Sequence, residues 1–88
     1  MKHMEWQVSE DGYEEQITLS KEVMELAEQE GISTENGKKI TVLITNLSSG
    51  EIYINRLAIT GNRAIYVPVE IQKMLKGSGK IRIQLLGG

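Results

Sequence analysis

The sequence predicts a mainly β protein of the α+β class, a small pseudo-symmetric barrel of six or seven strands with two short helices. Short runs of alternating apolar and polar residues recur along the 88-residue chain, as expected for strands with one buried face. Two stripes of apolar residues at helical spacing stand between these runs. The connections are too short for helical crossovers throughout, which favours a largely antiparallel barrel.

A repeated order of segments is a further clue to the fold. Residues 10–50 and 51–86 each contain a glycine turn, an alternating strand, a short helix, a Gly-Lys turn and another strand. One such half is too small to bury an adequate core alone. We therefore expect a single barrel domain at 5–86 made of two pseudo-repeats, with a flexible N-terminus at 1–4 and a tail at 87–88.

The predicted strands follow the alternating runs and the turn residues between them. They are Glu5–Ser9, Gln16–Leu19, Lys39–Thr45, Glu51–Ile59, Ala64–Val67 and Lys80–Leu86, with a tight turn at Asp11-Gly12. In the fourth strand, Ile52 and Ile54 alternate out of step with Leu57 and Ile59. A bulge near the middle of this strand, or burial on both of its sides, would reconcile the two pairs.

Two short helices are predicted after the second and fifth strands. Ser20 is a good N-cap, because its hydroxyl can accept a hydrogen bond from a free amide of the first turn. Gly31 can end the first helix in the left-handed conformation, and Pro68 suits the first turn of the second. The apolar stripes are Val23, Met24, Leu26 and Ala27 in the first helix and Ile71, Met74 and Leu75 in the second.

Composition limits the chemistry that the chain can perform. Cysteine is absent, which excludes disulfides and thiolate metal sites. His3 is the single histidine, Asp11 is the single aspartate and fits a turn, and most glutamates fit a solvated helix face. No nucleophile–base pair, phosphate loop or metal-ligand cluster is present in the sequence. We therefore expect a non-enzymatic protein with no cofactor and no metal.

No apolar run in the sequence reaches the length of a membrane span or of a signal-peptide core. We therefore expect a cytoplasmic protein without membrane contact. The core must be built from Ile, Leu, Val and Met, because the chain has one Trp, three Tyr and no Phe.

Charge is distributed unevenly, although the net charge is only −2. Residues 1–37 contain ten acids and two bases, whereas residues 38–88 contain eight bases and two acids. One interpretation is that a positive face steers the protein toward a polyanion. The other is that the acidic and basic halves attract each other within the fold.

The segment GNRAIYVPVEI at residues 61–71 resembles the signature of the AbrB/MazE/SpoVT group of swapped-hairpin DNA-binding domains. In that group a Gly-Asn or Gly-Arg turn leads to a strand ending in Ile-Pro or Val-Pro, followed by an acid, an aliphatic residue and a short helix. The segment QITLSKEV at residues 16–23 resembles the same junction, with Ser20 in place of proline. Two modules in one chain also resemble the pseudobarrel domains of plant transcription factors and certain restriction enzymes.

The resemblance implies double-stranded DNA binding, in a transcriptional regulator or antitoxin-like factor that is a monomer or a homodimer. Arg56, Arg63 and Lys73 lie at or near positions where the family carries bases, and Lys76 follows on the same helix. We expect these cations to contact phosphates, and Asn62 or Arg63 to reach a base edge from the tip of a turn.

Each of these residues also has an interpretation without DNA. Asn62 is a common turn residue, Lys73 and Lys76 can solvate a helix face, and Arg63 can pair with Glu70 or with an acid of the first half. The equivalent positions of the first module are Glu14, Glu15, Gln16, Met24 and Glu25. Because these are acidic or neutral, we expect the second module to do most of the binding.

Two rival functions fit other features of the chain. Gly87 and Gly88 resemble the activated terminus of ubiquitin-like and sulfur-carrier proteins of the β-grasp fold, in which only glycine can thread a narrow transfer site. The acidic first half could instead be the surface that binds a protein partner, as in antitoxins or small inhibitor barrels.

Overall fold

The computed structural model describes residues 3–10 and 15–87, which form six strands and two helices. The strands are β1 (His3–Gln7), β2 (Gln16–Thr18), β3 (Lys39–Asn46), β4 (Ile52–Thr60), β5 (Ala64–Tyr66) and β6 (Lys80–Gly87). The helices are α1 (Lys21–Gln29) and α2 (Val69–Leu75). The mainly β class with two short helices is thus confirmed. The predicted Asp11-Gly12 turn, Glu14 and Gly88 lie outside the described residues.

The six strands form one antiparallel sheet in the order β1-β6-β3-β4-β5-β2. The last strand, β6, therefore lies between β1 and β3. The two edge strands approach each other, because the backbone N–H of Ser20, just after β2, lies 3.4 Å from Sδ of Met4 in β1. The sheet is consequently a nearly closed barrel.

The interior of the barrel is filled by aliphatic side chains from the strands and from both helices. The largest fully buried ones are Ile17, Leu19, Ile40, Val42, Ile44, Leu57, Ile59, Ile65, Leu75, Ile81, Ile83 and Leu85. Burial of each such side chain contributes roughly 1.5–3 kcal/mol, so this cluster is the main source of stability.

The helix boundaries follow the predicted local signals. Oγ of Ser20 accepts a hydrogen bond from the N–H of Val23 at 3.2 Å, which confirms the predicted N-cap of α1. Gly31 follows α1 with a φ of 82°, as predicted, and Ile32 packs back into the core. Pro68 is the cap residue of α2, one position before the first turn in which the sequence placed it.

The two halves of the chain are related by an approximate two-fold axis. The elements β1-β2-α1-β3 and β4-β5-α2-β6 follow one another in the same order. The backbone N–H of Leu19 donates to the carbonyl of Arg63 at 2.8 Å, and that of Val67 donates to the carbonyl of Glu15 at 2.9 Å. The two donors are 48 residues apart, as are Ser20 and Pro68, the N-cap residues of α1 and α2, so the two bonds are equivalent under the two-fold relation.

Strand β4 corrects a prediction from the sequence. The β3–β4 ladder keeps a single register over its whole length. Leu57 and Ile59 are buried inside the barrel, whereas Ile52 and Ile54 lie on its outer side and are 58% and 62% exposed. The predicted bulge and the predicted burial on both sides are both wrong, because the regular strand presents two isoleucines to solvent.

Strand β1 begins at His3, two residues before the predicted start at Glu5. Met4 and Trp6 on its inner side are half-buried and pack against the core. On the outer side, Oε1 of Glu5 lies 3.6 Å from Nζ of Lys80, which links β1 to β6. The contacts of Met4 explain why the strand extends this far.

Candidate nucleic-acid interface

The turn between β4 and β5 presents Asn62 and Arg63, two of the predicted DNA-binding residues. Both are exposed and stand with Gly61 at the tip of the β4–β5 hairpin. Arg63 has a φ of 57°, the single positive value of a non-glycine residue within the described ranges. Surrounding contacts must hold this disfavoured conformation. The hydrogen bond from the N–H of Leu19 to the carbonyl of Arg63 is one such contact.

Glu15 is the two-fold equivalent of Arg63. Its carbonyl accepts the hydrogen bond from Val67 that corresponds to the bond between Leu19 and Arg63. Both side chains are exposed. Glu15 and Arg63 therefore occupy equivalent positions with opposite charges: a phosphate would be repelled by the carboxylate of Glu15 and attracted by the guanidinium of Arg63.

The two predicted lysines lie on or directly after α2. Lys73 lines an open cleft of about 390 Å³ together with Glu15, Tyr66, Val69 and Gln72. Its ammonium group therefore shares this space with the carboxylate of Glu15. Lys76 is the C-cap residue, and its N–H donates to the carbonyl of Gln72 at 3.1 Å. A cation at this end of a helix is favoured by the helix dipole.

The inner side of α2 differs from the predicted stripe. Ile71 and Leu75 are buried as predicted, but Met74 is exposed and Gln72 is buried in its place. Nε2 of Gln72 donates a 2.7 Å hydrogen bond to the carbonyl of Val67, which satisfies the buried amide. A cation in place of Gln72 would have to turn toward the open cleft that this residue also lines. Gln72 therefore stabilises the fold and offers no DNA contact.

Arg56 is not part of the β4–β5 turn. It lies in the middle of β4, where it pairs with Thr41, and one guanidinium nitrogen lies 3.5 Å from the carbonyl of Lys39. Gly61 is five residues further along the extended chain, which corresponds to about 17 Å at the usual rise per residue. The predicted site is thus divided among the turn, α2 and the outer side of β4.

The two tyrosines near these elements differ in environment. Tyr53 of β4 is half-buried and packs against the core. This burial raises the pKa of its phenol, and Glu51 raises it further by its charge and by accepting a 3.2 Å hydrogen bond. Tyr66 of β5 is exposed beside the cleft. Only Tyr66 is therefore placed where a base could stack.

Gly87, which the carrier hypothesis requires, belongs to β6. It pairs with Thr41 of β3 directly after a register shift between the two strands. A carrier terminus must enter a narrow active site as a free tail. The chain is still held in the sheet at Gly87, and Gly88 lies outside the described residues.

The described residues include no group of three or more His, Asp or Glu side chains that could hold a metal ion. In the same part of the chain, neither helix has the length and apolar character needed to cross a membrane.

Comparison with known proteins gives no relative. No protein-family model, curated protein or solved structure matches this chain. The resemblance to the AbrB/MazE/SpoVT group therefore depends on the sequence motifs, and its functional consequence is a proposal.

Proposed function

We propose that the protein binds double-stranded DNA without catalysing a reaction, as a transcriptional regulator or antitoxin-like factor of the AbrB/MazE/SpoVT type. The observation that supports this is the β4–β5 turn, where Asn62 and Arg63 are exposed on a tip bonded to the other half of the chain. A tip held in one conformation loses little entropy when it enters a groove. The cytoplasmic location and the number of subunits stay predictions.

Electrostatic attraction supplies most of the affinity in this proposal. Arg63, Lys73 and Lys76 contact phosphates, and the counterions that they displace make the binding salt-dependent. Asn62 lies at the tip, where its amide can pair with adenine in the major groove, and Arg63 can alternatively contact guanine. Arg56 lies too far along β4 to join this contact.

The proposed binding is one-sided. Glu15 occupies the position in the first half of the chain that Arg63 occupies in the second half. Glu22 and Glu25 add exposed negative charge to α1, the helix of the first half. The phosphate contacts therefore come from cations of the second half: Arg63 in the β4–β5 turn, and Lys73 and Lys76 at α2, where Glu15 lines the same cleft as Lys73 and weakens the attraction. A single molecule contacts a short site that has no need to be palindromic.

Fluorescence anisotropy with a labelled duplex of random sequence tests this proposal at about 20 mM and about 200 mM salt. Three phosphate contacts predict a slope of about −2.7 in a plot of log affinity against log salt, or a loss of roughly 500-fold between these conditions. Arg63→Ala should weaken binding roughly 5- to 150-fold at the lower salt.

Lys80→Ala is the matched control, because it removes one exposed positive charge from β6, away from the turn. We expect its affinity to stay within about twofold of the wild type, since long-range charge effects are screened by salt. Absence of duplex binding at the lower salt, or an equal effect of the two substitutions, would show that the proposal is wrong.

A further inference from the structure

Three aliphatic side chains form a patch on the outer side of the barrel, where β3 and β4 pair. Leu43 pairs with Ile54, and Ile52 lies two residues away on the same side of β4. Ile52 and Ile54 are more exposed, at 58% and 62%, than any other large hydrophobic residue in the described chain. Contiguous exposed apolar residues with a polar border are typical of interaction sites. We refer to Leu43, Ile52 and Ile54 as the aliphatic patch.

Cations border the aliphatic patch on two sides. Arg56 lies two residues beyond Ile54 on β4, and its guanidinium approaches the carbonyl of Lys39 on β3. Arg82 of β6 lies in the same row of the sheet as Ile52, two strands away. Its cross-strand neighbour on β1 is Glu5, whose carboxylate contacts Lys80. We refer to Lys39, Arg56 and Arg82 as the basic rim.

The outer side of α1 has the complementary character. Leu26 was predicted to join the buried stripe of this helix, but it is 37% exposed. Glu22 and Glu30 lie one turn before and one turn after it, Glu25 is adjacent, and all three are exposed. We refer to Leu26 and these three glutamates as the acidic knob.

We propose that the acidic knob of one molecule docks on the aliphatic patch of a second copy, with its carboxylates against the basic rim. Apolar groups meet apolar groups in this contact, and opposite charges meet around them. A contact between two identical sheet faces would instead bring two basic rims together, which is unfavourable. The inference is independent of DNA binding.

The knob and the patch lie on different elements, so the contact is head-to-tail and can repeat from one molecule to the next. One helix face against three aliphatic side chains is smaller than the roughly 800 Å² per partner of a stable complex. We therefore expect a weak association that depends on protein concentration rather than a permanent dimer.

Sedimentation velocity of the purified protein tests the inference between about 10 µM and about 1 mM. At about 50 mM salt the weight-average mass should rise with concentration, and at about 500 mM salt the protein should be largely monomeric because the charges are screened. A wild type that stays monomeric up to the highest concentration at low salt would overturn the inference.

Two variants make the test specific. Ile54→Glu removes the patch and Leu26→Lys removes the knob, so each variant alone should be monomeric. Mixed together they should form a 1:1 dimer, in which the intact acidic knob of Ile54→Glu docks on the intact aliphatic patch of Leu26→Lys. This dimer cannot add a third molecule, because its remaining knob and patch are the altered ones. Val69→Glu, at an exposed position of α2 outside both surfaces, should associate like the wild type.

Thermal unfolding checks that the three substitutions leave the fold intact, as expected at exposed positions. A mixture that stays monomeric would overturn the inference. Self-association of Leu26→Lys at the level of the wild type would do the same, because the knob would then not be what covers the patch.

Discussion

Ile17 of β2 and Ile65 of β5 pair directly at the centre of the β2–β5 ladder, one of the ladders between the two halves of the chain, and both are fully buried. They are 48 residues apart, the same interval that relates the two reciprocal hydrogen bonds between the halves. The approximate two-fold axis therefore passes between these two side chains. Each half completes the core of the other at this point.

The equivalence of Ile17 and Ile65 predicts matched effects on stability. Ile17→Ala and Ile65→Ala should each lower the free energy of unfolding by about 2–5 kcal/mol, because each leaves a cavity at the same place relative to the axis. Ile54→Ala, on the outer side of β4, should change it by less than about 0.5 kcal/mol. Urea denaturation measures all three. A large effect at one of the paired isoleucines and none at the other would contradict the two-fold account.

Gln72 provides a test of the buried hydrogen bond that its side chain donates to the carbonyl of Val67. Gln72→Arg should lower the free energy of unfolding by about 1–3 kcal/mol, because the amide that donates to the carbonyl of Val67 is lost and the longer side chain must turn into the cleft beside Glu15. Val69→Arg places the same side chain on the exposed side of α2 and should be nearly neutral. If Gln72→Arg is as stable as the wild type and binds duplex more tightly, the buried role of Gln72 is wrong.

Glu15 provides a test of the one-sided binding. Glu15→Arg should increase the affinity for duplex at low salt by roughly 5-fold or more, since the first half gains a phosphate contact. The slope of log affinity against log salt should become more negative by about 0.9. The fold should be unaffected, because Glu15 is exposed and holds Val67 through its backbone carbonyl. Glu5→Arg, with the same charge change on β1, is the control. Equal gains in the two variants would mean that net charge alone matters.

Much of the local structure was predictable because each element leaves a local signal. Alternation over Lys39–Thr45 predicted β3, and Ser20 and Gly31 predicted the two ends of α1. Strand β4 was harder, because alternation indicates which residues share a side without indicating which side is inside. Exposed Ile52 and Ile54 therefore looked like core residues. The strand order was not predictable, since β6 pairs with β1 and β3 over long range.

The exposed turn residues of the candidate site were predictable from the sequence. The buried hydrogen bond beside them, which depends on how separate residues meet in the fold, was not. The Gly-Asn pair predicted an exposed tip, and Asn62 and Arg63 are found there. Glu15 was among the acidic equivalents expected in the first module, and the hydrogen bonds of Leu19 and Val67 show that it is the equivalent of Arg63. Gln72 was missed because a buried glutamine depends on one specific acceptor, the carbonyl of Val67.

Replacement of Arg63 by glycine tests the central claim most directly, because it separates folding from DNA binding at one residue. Glycine adopts the φ of 57° without strain, so Arg63→Gly should keep the free energy of unfolding or raise it by about 0.5–1 kcal/mol. The account predicts that anisotropy at low salt will show at least a roughly 5-fold loss of duplex affinity in this stable variant. Wild-type affinity in a stable Arg63→Gly protein would contradict it.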